Sequence, residues 1–223
     1  MTLSHTIGQD VSLFIDGALV PSVNETPPVD VINPSNGQHL MSIPSGCADD
    51  VERAVASSRR AFEDGRWSDA PLSVRKKALH KFADLVAGDA HLDALDAEEM
   101  GKPVSTSAYN AQEAAALMRF NAEAIDKITG DTYTSDRQSF IAQRRVPRGV
   151  VAAVVPWNFP TFNAVLKIAP AIAAGNCVVL KPSELASRSA LRLARMALEA
   201  GIPEGVLNVT PGLGDIVGRA YPQ

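Results

Sequence analysis

The sequence predicts an α/β protein built on an open parallel sheet of variant Rossmann type, with flanking helices and small amino-terminal hairpins. Three observations carry that prediction. Residues 150–155, 177–180 and 206–209 are short apolar runs rich in valine, as in strands buried on both faces of a parallel sheet. Residues 161–174 and 187–200 lie between them with apolar positions at helical spacing, closed by Gly175 and Gly201. Strand and helix thus alternate as β-α-β-α-β, and crossovers of this kind are right-handed almost without exception. The strands then end on one edge of the sheet, where open α/β sheets take ligands.

The elements follow in order. Residues 1–10 are expected to be poorly ordered. Residues 12–20 read as two strands around Asp16-Gly17, a strong hairpin signal. Residues 31–33 and 39–43 form a second hairpin about the turn at 34–37. Asp49 or Asp50 is expected to cap a helix running to about Asp64, with Gly65 and Trp67 in its exit loop. Residues 72–87 carry Ala78, Leu79, Phe82, Leu85 and Val86 at helical spacing. A helix over 91–100 is stopped by Gly101 and Pro103. Ser105 caps the next, which reaches about Ile128 with Ala115, Met118, Ala122 and Ile125 on one face. Residues 139–146 alternate, as in an exposed antiparallel strand whose arginines blunt an edge. Gly212 and Gly214 shape a turn into a last helix that the sequence leaves about two turns long. The division expected is hairpins and helices over 1–137, a segment with the exposed strand over 138–149, and a β-α-β-α-β core over 150–223. The sheet reads as incomplete at its carboxyl end, with a hydrophobic edge exposed.

Composition excludes several classes. The 223 residues are 46% hydrophobic and 21% charged, as in an ordinary globular protein. A net charge of −4 argues against nucleic acid as a partner. No apolar run reaches the ~20 residues that span a bilayer. The first ten residues lack a basic stretch followed by an apolar one. A soluble cytoplasmic protein without membrane partner is the expectation. Cys47 and Cys177 make neither a zinc pattern nor a disulfide framework. The scattered His5, His39, His80 and His91 suggest no metal site.

The first strand is not followed by G-x-G-x-x-G, so the usual glycine loop for pyrophosphate is missing. Glu184 follows the second strand, where an acid accepts hydrogen bonds from the adenosine ribose and repels a 2′-phosphate. That favours NAD over NADP. Lys181 donates to the same ribose or pairs with a 2′-phosphate, so NADP stays open. The simpler alternative for both is a solvated charge pair. Ser183 either bonds the ribose or caps the following helix. Gly214 allows close backbone approach near the adenine, or shapes a tight turn with Gly212.

Longer motifs stand in a fixed order: EEMGKP at 98–103, PWNFP at 156–160, a lysine at 167, PAIAAGN at 170–176, KPSE at 181–184 and AGIPEGVLNVTPGLG at 200–214. This set resembles the aldehyde dehydrogenase superfamily, over nearly the whole chain and in its amino-terminal part. The resemblance implies NAD(P)-dependent oxidation of a small aldehyde to a carboxylic acid through a cysteine thiohemiacetal. It also implies that residues 138–149 form a protruding β arm that contacts neighbouring subunits in a homodimer or homotetramer. Val155, Pro156 and Trp157 would line the cofactor cleft, bound in a variant way that agrees with the missing glycine loop. Asn158 would donate its amide to the oxyanion; alternatively it caps the helix near Thr161. Lys167, in an otherwise apolar helix, would relay protons if desolvated, or else reach the surface. The family's GKP segment lies near an alkali-cation site, to which Glu99 is not assigned. The nucleophilic cysteine and general-base glutamate are expected beyond Gln223, so the catalytic domain is absent and the chain alone is inactive. Two other readings stand beside this one: a non-catalytic cofactor-binding or assembly module, and a related acyl-phosphate or acyl-thioester reductase.

Overall fold

The computed structural model describes residues 12–103, 105 and 110–221. β1 (Leu13–Ile15) and β2 (Ala18–Val20) pair through the turn at Asp16-Gly17. Both turn residues have positive φ, 55° and 78°, which matches the twist of a two-residue hairpin. β3 (Val29–Ile32) and β4 (His39–Ile43) form the second hairpin, as expected. The expectation for residues 1–10 lies outside the described residues.

Helix α1 (Ala48–Glu63) starts earlier than expected. Its cap is Cys47, and neither Asp49 nor Asp50 caps it. Asp50 instead sits at the third helical position and accepts the Cys47 N–H at 3.1 Å, with Ser22 Oγ and the Val23 N–H on the same carboxylate. Helices α2 (Leu72–Gly88), α3 (Leu92–Met100) and α4 (Asn110–Ala124) follow. Gly101, at φ 72°, closes α3 as the sequence indicates. The turn from Ser105 into α4 lies mostly outside the described residues, and α4 ends four residues before Ile128. Met118, Ala115, Ala122 and Ile125 are buried together as anticipated.

The arm is shorter than the alternation over 139–146 suggests. β5 (Thr132–Tyr133) offers two residues, so only β6 (Ile141–Ala142) pairs with it. Phe140 and Val146 are left 81% and 71% exposed.

β7 (Val150–Val154), α5 (Pro160–Ala173), β8 (Cys177–Lys181), α6 (Arg188–Glu199) and β9 (Leu207–Val209) complete the core. A π-helical turn, Gly214–Gly218, comes last. The sheet order is β2-β1-β9-β8-β7, with β7, β8 and β9 parallel. Every residue of β8 is buried. β7 corrects the expectation of a strand buried on both faces. It is the end strand here; Ala152 and Val154 face outward, Val154 at 57% exposure, while Ala153 and Val155 pack on the helix layer.

The opposite edge is covered, which the sequence did not indicate. β1 adds antiparallel to β9 with Phe14 opposite Val209. Leu13 and Ile15 then turn to Ala54 of α1 and Val179 of β8, and Phe14 joins the cluster under α5 and α6. Asn208, fully buried in β9, fastens this joint. Its Oδ1 accepts the Asp16 N–H at 2.8 Å, and its Nδ2 donates to Ala54 O at 3.0 Å and Ser58 Oγ at 2.9 Å. Trp67, 1% exposed, donates its indole N–H to Ile172 O near the end of α5. No helix among the described residues is long and apolar enough to cross a membrane.

Asn208→Val should lower stability by about 2–4 kcal/mol, because it strands several buried partners at once. Urea denaturation measures it. A loss comparable to a surface substitution would show that the hairpin joint does not depend on this side chain.

Candidate functional site

Three loops leave the carboxyl ends of the parallel strands side by side. Val154 stands opposite Lys181, and Leu180 opposite Val209. The pairing runs on past the strands: the Val155 N–H donates to Lys181 O at 3.1 Å and the Thr210 N–H to Leu180 O at 2.9 Å. Pro156, Trp157 and Asn158 therefore lie next to Ser183 and Glu184. The Gly214–Gly218 turn closes the third side, with Gly218 against the Lys181 stem; a methyl added there would lie 3.7 Å from Lys181 Cε.

The charge pair at this edge is not solvated as a simple surface pair. The Lys181 side chain is 4% exposed and that of Glu184 31%. Lys181 Nζ donates to Pro182 O at 3.0 Å and to Glu184 Oε2 at 3.4 Å. An ammonium has three donors and a carboxylate several lone pairs, so both groups keep unused bonding capacity. Ser183 does not cap α6. Its Oγ accepts the Leu185 N–H, and its carbonyl accepts the Ser187 hydroxyl. Gly214 is exposed with open space around it, whereas Gly212, at φ 146°, is the glycine pressed against Val217 and Ser45.

Asn158 does not cap α5 either. The cap position is Phe159, and the side-chain amide of Asn158 has no hydrogen bond among the described residues. Only its carbonyl is engaged, accepting from Asn163 Nδ2 at 2.6 Å. Trp157 beside it is 50% exposed. Lys167 lies apart from this group, on the exposed side of α5 and about 10 Å along the helix from Pro160.

Helix α3 carries an arrangement that the sequence reading did not pick out. Leu92, Leu95, Asp96 and Glu99 are all buried on one face. Asp96 accepts the Thr161 hydroxyl at 3.0 Å and the Thr161 N–H at 3.3 Å, at the head of α5. Glu99 accepts Arg188 Nε at 2.9 Å and the Arg188 N–H at 3.4 Å, at the head of α6. Arg188 also reaches Glu98 at 2.7 Å. Burial pushes Asp96 up to about 6, against the pull of its Thr161 bonds, and Glu99 up to about 7, against the pull of Arg188. The signal was present as two acids in the apolar stripe of a short helix. Beyond α3, a pocket of about 560 Å³ is lined by Met100, Lys102, Asn110, Glu113 and Phe159, with Lys102 Nζ 5.2 Å from the Phe159 ring centre. Among the described residues no cluster of three or more His, Cys, Asp or Glu could hold a metal ion.

The sequence profile of the aldehyde dehydrogenase family matches residues 20–221. The chain belongs to that family. Over 211 residues it is 42% identical to the NADP/NAD-dependent aldehyde dehydrogenase PuuC of Escherichia coli K12, covering 93% of this chain and 42% of that protein. An indole-3-acetaldehyde dehydrogenase solved with NAD+ superposes with a TM-score of 0.91 at 41% identity, covering 94% of this chain and 43% of that one. The aldehyde dehydrogenase KauB of Pseudomonas aeruginosa gives the same TM-score and identity, covering 94% and 42%. The chain thus spans less than half the length of the family members it matches.

Both cysteines of this family member are enclosed. Cys177 is fully buried in β8 and burial pushes its thiol up to about 12. Cys47 is 6% exposed and its thiol lies 3.2 Å from Asp50.

The α3 acids set a pH dependence. Asp96 and Glu99 hold protons more tightly folded than unfolded, where they titrate near 3.8 and 4.5. The stability linked to them is present below those values and is lost as pH rises through about 6 and 7. Thermal midpoints should therefore fall as pH is raised across this window, and Asp96→Asn should flatten the slope. A slope unchanged by the substitution would locate the titration elsewhere.

Proposed function

We propose that the complete protein oxidises an aldehyde to a carboxylic acid with NAD, through a cysteine thiohemiacetal, and that this chain is its cofactor-binding part and is inactive alone. The observation that carries the reading is the amide of Asn158, without a hydrogen bond among the described residues and set at the sheet edge beside Trp157, one strand away from Glu184. Thiolate addition to an aldehyde puts negative charge on the former carbonyl oxygen. A fixed amide donor stabilises that charge without titrating, and losing such a donor typically costs about 3–4 kcal/mol of barrier.

The edge fits the adenosine half of a dinucleotide by its donor set. Glu184 offers acceptors to a ribose diol and Lys181 a donor, while Val155, Pro156, Trp157 and Gly214 supply backbone and apolar surface. NAD, when bound, supplies the hydride acceptor. Glu184 disfavours a 2′-phosphate; pairing of that phosphate with Lys181 is the alternative, and the PuuC enzyme is named for both cofactors. Neither Cys47 nor Cys177 has the exposure a nucleophile needs, so neither supplies the thiolate in this reading. Lys167 would relay protons only where another part of the protein covers it. The exposed Tyr133, Phe140 and Val146 suit the arm to a subunit contact in a homodimer or homotetramer.

In the complete protein, Asn158→Ala should lower kcat about 10²–10³-fold while the NAD dissociation constant stays within about three-fold. Steady-state kinetics with chemistry rate-limiting decide this; an unchanged kcat removes Asn158 from the mechanism. Glu184→Gln should shift the ratio of NADP to NAD affinity toward NADP. Fluorescence titration of both cofactors measures it, and a constant ratio counts against ribose recognition by Glu184.

A further inference from the structure

We propose that Asp96 is a positioning residue for the Asn158 turn: by holding Thr161 at the head of α5 from a neighbouring helix, it fixes the direction in which the Asn158 amide points. The inference rests on the reading of Asn158 given above and extends it to a residue outside the cleft.

The turn is not held by its own residues alone. Phe159 has φ 49°, a left-handed conformation that a residue with a side chain adopts only when its surroundings enforce it, at a cost of about 1–3 kcal/mol. The Asn158 amide has no bond of its own among the described residues. Pro160, at the first position of α5, has no N–H with which to anchor the chain. From within α5, Asn163 binds the Asn158 carbonyl through its side chain and the Phe159 carbonyl through its N–H. From outside, Lys102 Nζ lies over the Phe159 ring, and two further contacts come from one face of α3, four residues apart: Asp96 grips Thr161 through both its hydroxyl and its N–H, and Met100 Sδ accepts the Phe159 N–H at 3.2 Å.

Asp96 is the stronger of the two α3 contacts. It and Thr161 are both fully buried, so water does not compete for the two bonds. A carboxylate at the head of a helix also gains from the helix dipole. α3 in turn is fixed by Glu99 and Glu98 on Arg188 of α6. The direction of the amide is thus set in part from outside the turn, and a misaimed donor loses much of its effect on the barrier.

The test combines local dynamics with kinetics. In the complete protein, Asp96→Ala should speed hydrogen exchange at the Phe159 and Thr161 amides by about ten-fold or more, with the β8 amides unchanged. It should lower kcat by about ten-fold or more with KM for NAD within about three-fold, and Asp96→Asn, which still accepts the Thr161 N–H, should restore kcat to within about three-fold of the parent. Thr161→Val, which keeps the packing, should move both readouts in the same direction by less, and serves if Asp96→Ala does not fold. Exchange that rises throughout the chain, or a kcat that holds while the turn loosens, overturns the proposal. If Asn158→Ala itself leaves kcat unchanged, the reading of Asn158 fails; the exchange result still reports on the clamp by itself.

Discussion

Two buried carboxylates on one short helix set the geometry of the strand-end loops. Asp96 and Glu99 lie one turn apart on α3 and reach the heads of the two crossover helices, α5 and α6. Burying an acid is costly unless it is bonded. Here helix-head N–H groups, a threonine hydroxyl and the Arg188 guanidinium supply bonds, while Glu99 Oε2 has none among the described residues. Removing one partner of such a buried pair typically costs about 3–5 kcal/mol. Because α5 starts just after β7 and α6 just after β8, fastening the heads of both helices also fastens the loops that carry Asn158 and Glu184.

The head of α5 also lacks the free amides that a glycine loop presents. In the common dinucleotide fold the first crossover helix presents free amides to the pyrophosphate. At the head of α5 the first position is proline and the second amide already binds Asp96. A carboxylate there would repel a phosphate. The bonding capacity at this edge lies instead in side chains at the strand ends, with Lys181 kept buried beneath Gly218 and beside Glu184.

The sheet depends on a long-range joint of a different kind. Three parallel strands would leave two unpaired edges. The amino-terminal hairpin closes the β9 edge, and Asn208 bonds to the hairpin turn and to α1 together. The β7 edge keeps Ala152 and Val154 exposed next to Trp157.

The sequence by itself determined the local elements and the family. Valine-rich runs, glycine stops and the Asp16-Gly17 turn each encode a conformation through backbone sterics or local burial, and short-range patterns of this kind are readable without the fold. The motifs at 156–160 and 181–184 marked where Asn158 and Glu184 would lie, because parallel strands must end on one edge. The tertiary structure decided what depends on partners distant in sequence. It put Cys47 rather than Asp49 or Asp50 at the start of α1, since Asp50 is drawn back to the Cys47 N–H and to Ser22. It placed β7 at the end of the sheet and β1 beside β9, since pairing is chosen by the whole sheet. It left Lys167 exposed on a helix that looked apolar all round, since only packing says which face is covered. And it turned two acids in the core stripe of α3 into clamps on α5 and α6, since their partners lie 65 and 89 residues away.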